Sequence, residues 1–350
     1  MLSLSLLMQG ECKRFQLLLR VQYQGPCETR GTLPPVPMSQ NLFSQATGMF
    51  IAETHTDAVT WHFSVDKFLV EGRTKFQQYQ IVDMPTFGKT LFLDYKIQSS
   101  LLDEYVYHES MVQPAMITHP NPKKVLVCGG GEGATLWQAL QHNTVDHVDM
   151  VDLDEELIDM VKVHMKEWHH DCFDDPRASL IHQDARKWVE DHHGHNYDVI
   201  LSDLPGPIEG GPALYLYTQE YFRHVAEALS DDGVFVLQSG AANETYPYCY
   251  ACVHETLESL KEVFPYVRGY YGLVTTFQMP WGFILASKKH DPLDLSHEEI
   301  AKRLQARGVS NRYCTPRFMP AMFVLPEFLL RDIKKYGRIL TDAEPFIWDA

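Results

Sequence analysis

The sequence has 350 residues, a formal net charge of −16 and 45% hydrophobic residues, enough apolar material for one large domain or two smaller ones. No clustered Lys/Arg stripe is present, which excludes nucleic acid as a main partner; an acidic chain attracts cationic small molecules instead. The seven cysteines, at positions 12, 27, 128, 172, 249, 252 and 314, are odd in number. They do not form a disulfide framework and fit a reducing, cytoplasmic setting. No apolar run approaches the roughly 20 residues of a membrane span.

The first 37 residues carry Lys13, Arg14, Arg20 and Arg30 against Glu11 and Glu28, a net of +2 against −18 for the remainder. Residues 1–58 read as a disordered or targeting arm: a transit peptide to an organelle, or sequence upstream of a start at Met38, are the processing options. Residues 59–118 form the next region. From Trp61 to Gln98 the pattern is of β-hairpins, with strand signals at Thr74–Val82 and Thr90–Leu93 and a turn at Pro85–Gly88. Glu104–Thr118 has helical spacing, with Tyr107, Met111, Ala115 and Met116 along one side.

Over residues 119–290 strands and helices alternate. Strands are expected at Val125–Cys128, Val148–Val151, Leu180–Ile181, Val199–Leu201 and Val234–Leu237. Helices are expected at Ala134–His142, Glu155–Trp168, Trp188–Asp191, Gln219–Leu229 and His254–Val263. Such alternation predicts a Rossmann-like, doubly wound α/β domain. Tyr270–Thr276 and Trp281–Ala286 close it as a hairpin. Residues 291–350 read as a mainly helical extension, with Ser296 and Glu299 as a capping box, Gly308 as a stop and a helix at Pro326–Ile333. Cys249 and Cys252 lack a second ligand pair, and His192, His193 and His195 sit in a polar loop, so no metal site is expected.

The chemistry gathers after the first central strand. Val125–Cys128 leads into Gly129-Gly-Gly-Glu-Gly133 and then a helix. Glycines at 129, 131 and 133 let the backbone turn tightly against a ligand. Asp152, at the end of the next strand, can accept two hydrogen bonds from ribose hydroxyls. Asp184 follows the strand after that and can meet an adenine amino group. Glu132 places a carboxylate inside the turn, where it repels a pyrophosphate and welcomes a cation. This favours an adenosyl-sulfonium ligand over a dinucleotide.

Asp203 ends a further strand. Pro205-Gly-Pro207 follows it, so no helix begins there to be capped. The combination suggests alkyl transfer from a sulfonium to a neutral amine, with Asp203 as base and Tyr107 orienting the nitrogen. Glu209, Gly210, Gly211 and Pro212 continue as a loop towards Tyr215 and Tyr217.

At these residues the chain resembles the spermidine/spermine synthase family of aminopropyltransferases. The resemblance rests on Phe76-Gln-Gln-Tyr-Gln80, Leu93-Asp-Tyr-Lys-Ile-Gln98, Asp103-Glu-Tyr-Val-Tyr-His-Glu109, Val125–Gly133, Val151-Asp-Leu-Asp154, Gln183-Asp184 and Ser202-Asp203. Within the family, Gly129-Gly-Gly-Glu-Gly133, Glu209-Gly-Gly-Pro212, Leu216-Tyr-Thr218, Phe277 through Trp281-Gly282, Met322-Phe-Val-Leu-Pro326 and Arg338-Ile-Leu-Thr-Asp342 are most similar to thermospermine synthases.

The resemblance implies decarboxylated S-adenosylmethionine as co-substrate, a polyamine acceptor, 5′-methylthioadenosine as product, no permanently bound cofactor and a dimer or tetramer. It further implies Gln77 and Asp152 at the nucleoside, Asp184, Ala185 and Pro212 around the adenine, Glu132 and Asp203 at the aminopropyl ammonium, and His108 with Tyr107 on the acceptor side. One position departs from the family. The second acid expected three residues after Asp203 is Gly206, and Glu209 is the candidate to replace it. Thr276 stands where an aromatic residue is expected. The competing readings are an S-adenosylmethionine-dependent methyltransferase and a catalytically weak polyamine- or nucleoside-binding homologue.

Overall fold

The computed structural model describes residues 48–56 and 59–348. The basic segment 1–37 and its proposed processing lie outside the described residues. Strands β1 (Met49–Thr56) and β2 (Val59–Val65) pair antiparallel. β1 falls in the stretch assigned above to the arm, so the ordered fold starts earlier than expected. Its inward residues are Ile51 and Glu53. A carboxylate in the inward register masks the alternation; it is tolerated because Glu53 Oε2 accepts from the Ile97 amide at 3.0 Å.

Strands β3 (Lys67–Arg73), β4 (Gln78–Met84), β5 (Gly88–Leu93) and β6 (Lys96–Ser100) form an antiparallel sheet in that order, the hairpins read from the sequence. The strand expected from Thr74 begins at Gln78 instead. Thr74 N donates to Gln77 O at 2.9 Å, and Thr74 Oγ1 accepts from the amides of Phe76 and Gln77, so the hydroxyl stabilises a turn there. Helix α1 (Glu104–Thr118) has the predicted bounds and is buried nearly all round.

The larger sheet has the order β12-β13-β11-β10-β7-β8-β9. It contains β7 (Lys124–Gly129), β8 (His147–Asp152), β9 (Ala178–His182), β10 (Tyr197–Asp203) and β11 (Leu229–Ala241), all parallel, and the antiparallel pair β12 (Tyr266–Val274) and β13 (Met279–Ser287). Val125 to Cys128 are fully buried, as a strand covered on both faces must be. The chain winds one way from β7 to β8 and the other way to β10. That reversal opens a crevice at the carboxyl ends of β7 and β10, where ligands gather in such sheets.

The helices are α2 (Ala134–Leu140), α3 (Glu155–His164), α4 (Lys166–His169), α5 (Ala185–Asp191), α6 (Gln219–Ala228), α7 (Tyr248–Glu258), α8 (His297–Arg307), α9 (Met319–Met322) and α10 (Glu327–Tyr336). The single helix expected at Glu155–Trp168 breaks at Met165. The break lets buried Trp168 reach Ser99, to which its indole donates at 2.7 Å. α7 begins earlier than predicted, directly after Pro247. α8 begins on Ser296, whose hydroxyl accepts from the Glu299 amide, and ends on Gly308 at φ 74°; the Glu299 carboxylate pairs with Arg303 instead of closing the capping box. Cys249 and Cys252 are both buried, and Cys252 donates to Tyr336 O at 3.4 Å. No helix among the described residues is long and apolar enough to cross a membrane.

Candidate active site

The crevice is built on close backbone contact. Gly129 pairs with Asp203 across β7 and β10, and a Cβ at Gly129 would lie 2.2 Å from Asp203 O. Gly129 also has φ +78°, so two independent constraints demand glycine there. Gly130 N donates to Asp203 O at 2.9 Å. Gly133, at φ +79°, lies against Phe173 and His169. Gly131 faces Asp152, whose Oδ2 would be 3.2 Å from an added Cβ. The glycines thus bring β7, β8 and β10 together at one point.

Asp203 holds two hydroxyl donors. Tyr107 Oη donates to Oδ1 at 2.7 Å and Thr135 Oγ1 to Oδ2 at 2.6 Å. Thr135 sits in the first turn of α2; nothing in its sequence context distinguished it from a helix former. Burial raises the Tyr107 pKa well above the usual phenol value, and the Asp203 charge raises it further. Its hydroxyl therefore stays protonated and donates. Tyr107 is placed by Asp103, just before α1. Asp103 accepts from the Thr276 amide at 2.9 Å, from the Thr276 hydroxyl and from Ser100 Oγ at 2.9 Å. Thr276 is therefore occupied in holding α1 against β6. Tyr107 packs against the rings of Phe283, at a centroid distance of 5.5 Å, and of Phe277, next to Thr276, at 5.8 Å.

His108 lies between two carboxylates. Its Nδ1 is 3.2 Å from Glu104 Oε2, and its Nε2 is 3.5 Å from Glu132 Oε2. Burial alone would lower the His108 pKa; Glu104 and Glu132 outweigh it and raise the value to about 10. Glu132 Oε2 is buried and, at that distance, makes no hydrogen bond within the protein, so it retains accepting capacity inside the turn.

Asp152 Oδ1 accepts from the Asp154 amide at 2.8 Å, leaving Oδ2 on the side of Gly131. Burial pushes the Asp152 pKa up to about 6; the Asp154 amide opposes this, while the charges of Asp154 and Asp203 add to it. Asp154 caps α3 and accepts from Thr74 Oγ1 at 2.6 Å and from Gln77 Nε2 at 2.9 Å. Gln77 therefore reaches this group through Asp154.

The structure brings together Tyr107, His108, Glu132, Asp152, Asp203, the glycine turn and, through Asp154, Gln77. Asp184 and Ala185 lie one strand further out. Asp184 caps α5, accepting from the Lys187 amide at 3.1 Å. Pro212 and Glu209 are exposed on the loop after β10. The space beside Gly206 is taken by Trp348, whose Cε3 would be 2.5 Å from an added Cβ. Among the described residues two His/acid clusters lie outside the crevice, His193 with His224 and Glu227, and His119 with Asp198 and Asp232. In the second, His119 Nδ1 accepts from the Asn121 amide at 3.3 Å, which puts the ring proton on Nε2, towards the two aspartates.

A doubly wound sheet with several carboxylates around a glycine turn, and a Tyr–Asp pair at its crevice, has the form and charge to receive a nucleoside-bearing, cationic ligand. Residues 104–297 match the Spermine/spermidine synthase domain family, and residues 49–100 match the Spermidine synthase tetramerisation domain family. The chain is 42% identical over 297 residues to polyamine aminopropyltransferase 2 of Hyperthermus butylicus, covering 85% of this chain and 96% of that one. It is 34% identical over 334 residues to polyamine aminopropyltransferase 2 of Pseudomonas aeruginosa, covering 92% and 94%. Its fold is similar to a crystal structure of spermidine synthase in complex with the transition state analogue AdoDATO, with TM-score 0.76, 27% identity and coverage of 83% and 96%. Spermidine synthase from Thermotoga maritima is similar at TM-score 0.74. The chain belongs to the spermine/spermidine synthase family, as a polyamine aminopropyltransferase.

Proposed function

We propose that the protein transfers the aminopropyl group of decarboxylated S-adenosylmethionine to spermidine, giving thermospermine, with putrescine as the next acceptor. The observation that carries the chemistry is the Tyr107–Asp203 hydrogen bond of 2.7 Å at the carboxyl end of β10, facing the glycine turn. Asp152 Oδ2 is the acceptor for a ribose hydroxyl. Glu132 and Asp203 face the donor's ammonium, and a donor with its carboxylate intact would meet Glu132 unfavourably. Asp184, Ala185 and Pro212 are assigned to the adenine, with Gln77 supporting the ribose side.

In the reaction the neutral acceptor nitrogen attacks the propyl carbon next to sulfur. The N–C bond forms as the C–S bond breaks, and the electron pair returns to sulfur, leaving neutral 5′-methylthioadenosine. The proton on the new ammonium passes to Asp203, while Tyr107 fixes the nitrogen in line. The choice of spermidine over putrescine is supported by Gly206, which removes a carboxylate from the acceptor side, and by the aromatic neighbours Phe277 and Trp281. Glu209 is assigned to an acceptor ammonium from the loop; an unchanged acceptor KM in Glu209→Gln would remove it from this role. Residues 49–100 are assigned to subunit assembly, and light scattering at the mass of a monomer would overturn that assignment.

The test is incubation with decarboxylated S-adenosylmethionine and each amine separately, with products resolved chromatographically because spermine and thermospermine are isomers. Thermospermine from spermidine is expected; spermidine from putrescine as the faster reaction reverses the acceptor order. Asp203→Asn should lower kcat by about 10²–10⁴ while methylthioadenosine still binds. Retention of most activity would falsify the base assignment.

A further inference from the structure

The aromatic residues beside the reaction centre form a row that ends on the C-terminal segment. From the Tyr107 ring it runs to Phe277, then 4.6 Å to Trp281, then 6.3 Å to Trp348, whose plane is tilted 25° from that of Trp281. Several ties hold the segment that delivers Trp348. Leu340 N donates to Thr256 Oγ1 at 2.9 Å, and Gln219 N to Leu340 O at 2.8 Å. Arg186 grips Asp342 with two bonds of 2.8 and 2.6 Å, and Thr218 Oγ1 adds one of 2.7 Å. Trp348 N then donates to Pro207 O at 2.7 Å.

The indole lies in a cradle of two glycines. An added Cβ would be 2.5 Å from Trp348 Cε3 at Gly206, and 3.2 Å from Cη2 at Gly240. Any side chain at position 206, a carboxylate included, would collide with the ring. A bare position 206 and the tryptophan thus fit only together. Where an acid would hold a terminal ammonium at a single point, an indole face attracts a cation and also packs methylene groups.

We infer that Trp348 is an acceptor-binding, specificity-determining residue, its indole face taking the alkylammonium chain of the acceptor beyond the reacting amine. A surface of this kind favours a longer amine over a short diamine that ends at the reaction centre. The inference rests on the aminopropyl-transfer reading for its ligand class. Its test is by binding, so that it stands or falls separately.

Calorimetric titration of spermidine and of putrescine into the methylthioadenosine-loaded protein is the measurement, with Trp348→Ala and Trp348→Phe beside the unaltered protein. Trp348→Ala should weaken spermidine at least about fivefold, narrow the spermidine-to-putrescine ratio and leave methylthioadenosine affinity unchanged; Trp348→Phe should restore most of the loss. Adding Gly206→Asp to Trp348→Ala should tighten putrescine. Unchanged amine affinities in a Trp348→Ala protein with native circular dichroism overturn the inference. So does an equal loss of methylthioadenosine affinity, which marks a structural effect. If the unaltered protein turns over putrescine alone, the thermospermine reading fails, while the binding ratio still decides Trp348.

Discussion

At the residue scale the site sets a buried negative charge against function. The Asp152 carboxyl is pushed up to about 6, chiefly by burial. Its folded pKa is raised above the unfolded value, so the neutral form is favoured in the fold. That stabilising contribution is complete below the unfolded pKa and is lost as pH rises through about 6. Under the proposed function the ionised form is the one whose Oδ2 accepts from a ribose hydroxyl. Two opposite effects are therefore expected of Asp152→Asn at pH 7.5: a Tm raised by about 2–4 °C and a weakened affinity for methylthioadenosine. In the unaltered protein that affinity should fall about tenfold between pH 7.5 and 5, following the ionised fraction. Scanning fluorimetry and calorimetry read both. A lower Tm with unchanged nucleoside affinity in the variant contradicts the assignment.

At the scale of elements, helix α1 carries Tyr107 and His108 but leaves its C-terminal carbonyls to a distant partner. Buried Arg307, at the end of α8, donates to Met116 O, to His119 O at 2.9 Å and to Pro120 O at 2.8 Å. Arg303 adds Ile117 O at 2.7 Å and Thr118 O at 3.1 Å. These cations satisfy and complement the negative end of the helix. Arg307→Met takes the donor from the buried carbonyls of Met116 and His119 and should cost about 3 kcal/mol or more in urea unfolding; a loss below about 1 kcal/mol would show that water replaces the guanidinium.

The bounds of α1 were legible because Tyr107, Met111, Ala115 and Met116 keep helical spacing across the internal Pro114, and His119-Pro-Asn-Pro122 follows as a stop. The glycine turn and Asp203 were legible because strand, glycines and acid lie within a few residues of each other or at strand ends. Thr135 and Arg307 were not. Each acts on a partner far along the chain, and each residue type is ordinary for a helix. β1 was hidden by Glu53, a charged residue at an inward position.

At the scale of the whole molecule, the net charge of −16 and the carboxylates converging on the crevice should draw cationic substrates inward. The acceptor KM is expected to rise about three- to tenfold between 0.02 and 0.5 M salt, as the screening length shrinks below the size of the crevice. Steady-state kinetics at fixed pH checks this, and a flat KM would confine the electrostatics to direct contacts. The sequence shows the charge, but not its convergence. It also hides the course of residues 338–348, because the Arg186–Asp342 pair joins positions 156 residues apart and the Gly206–Trp348 contact is similarly long-range.

The cap that Arg307 places on α1 also bears on the order in which the protein is made. Arg307 follows Met116 by 191 residues, so it leaves the ribosome about 10–40 s later at ordinary rates of synthesis. Throughout that interval the end of α1 lacks the donors that the finished fold gives it. The helix that carries Tyr107 is therefore completed only after both Asp203, its partner across the crevice, and α8 have been made.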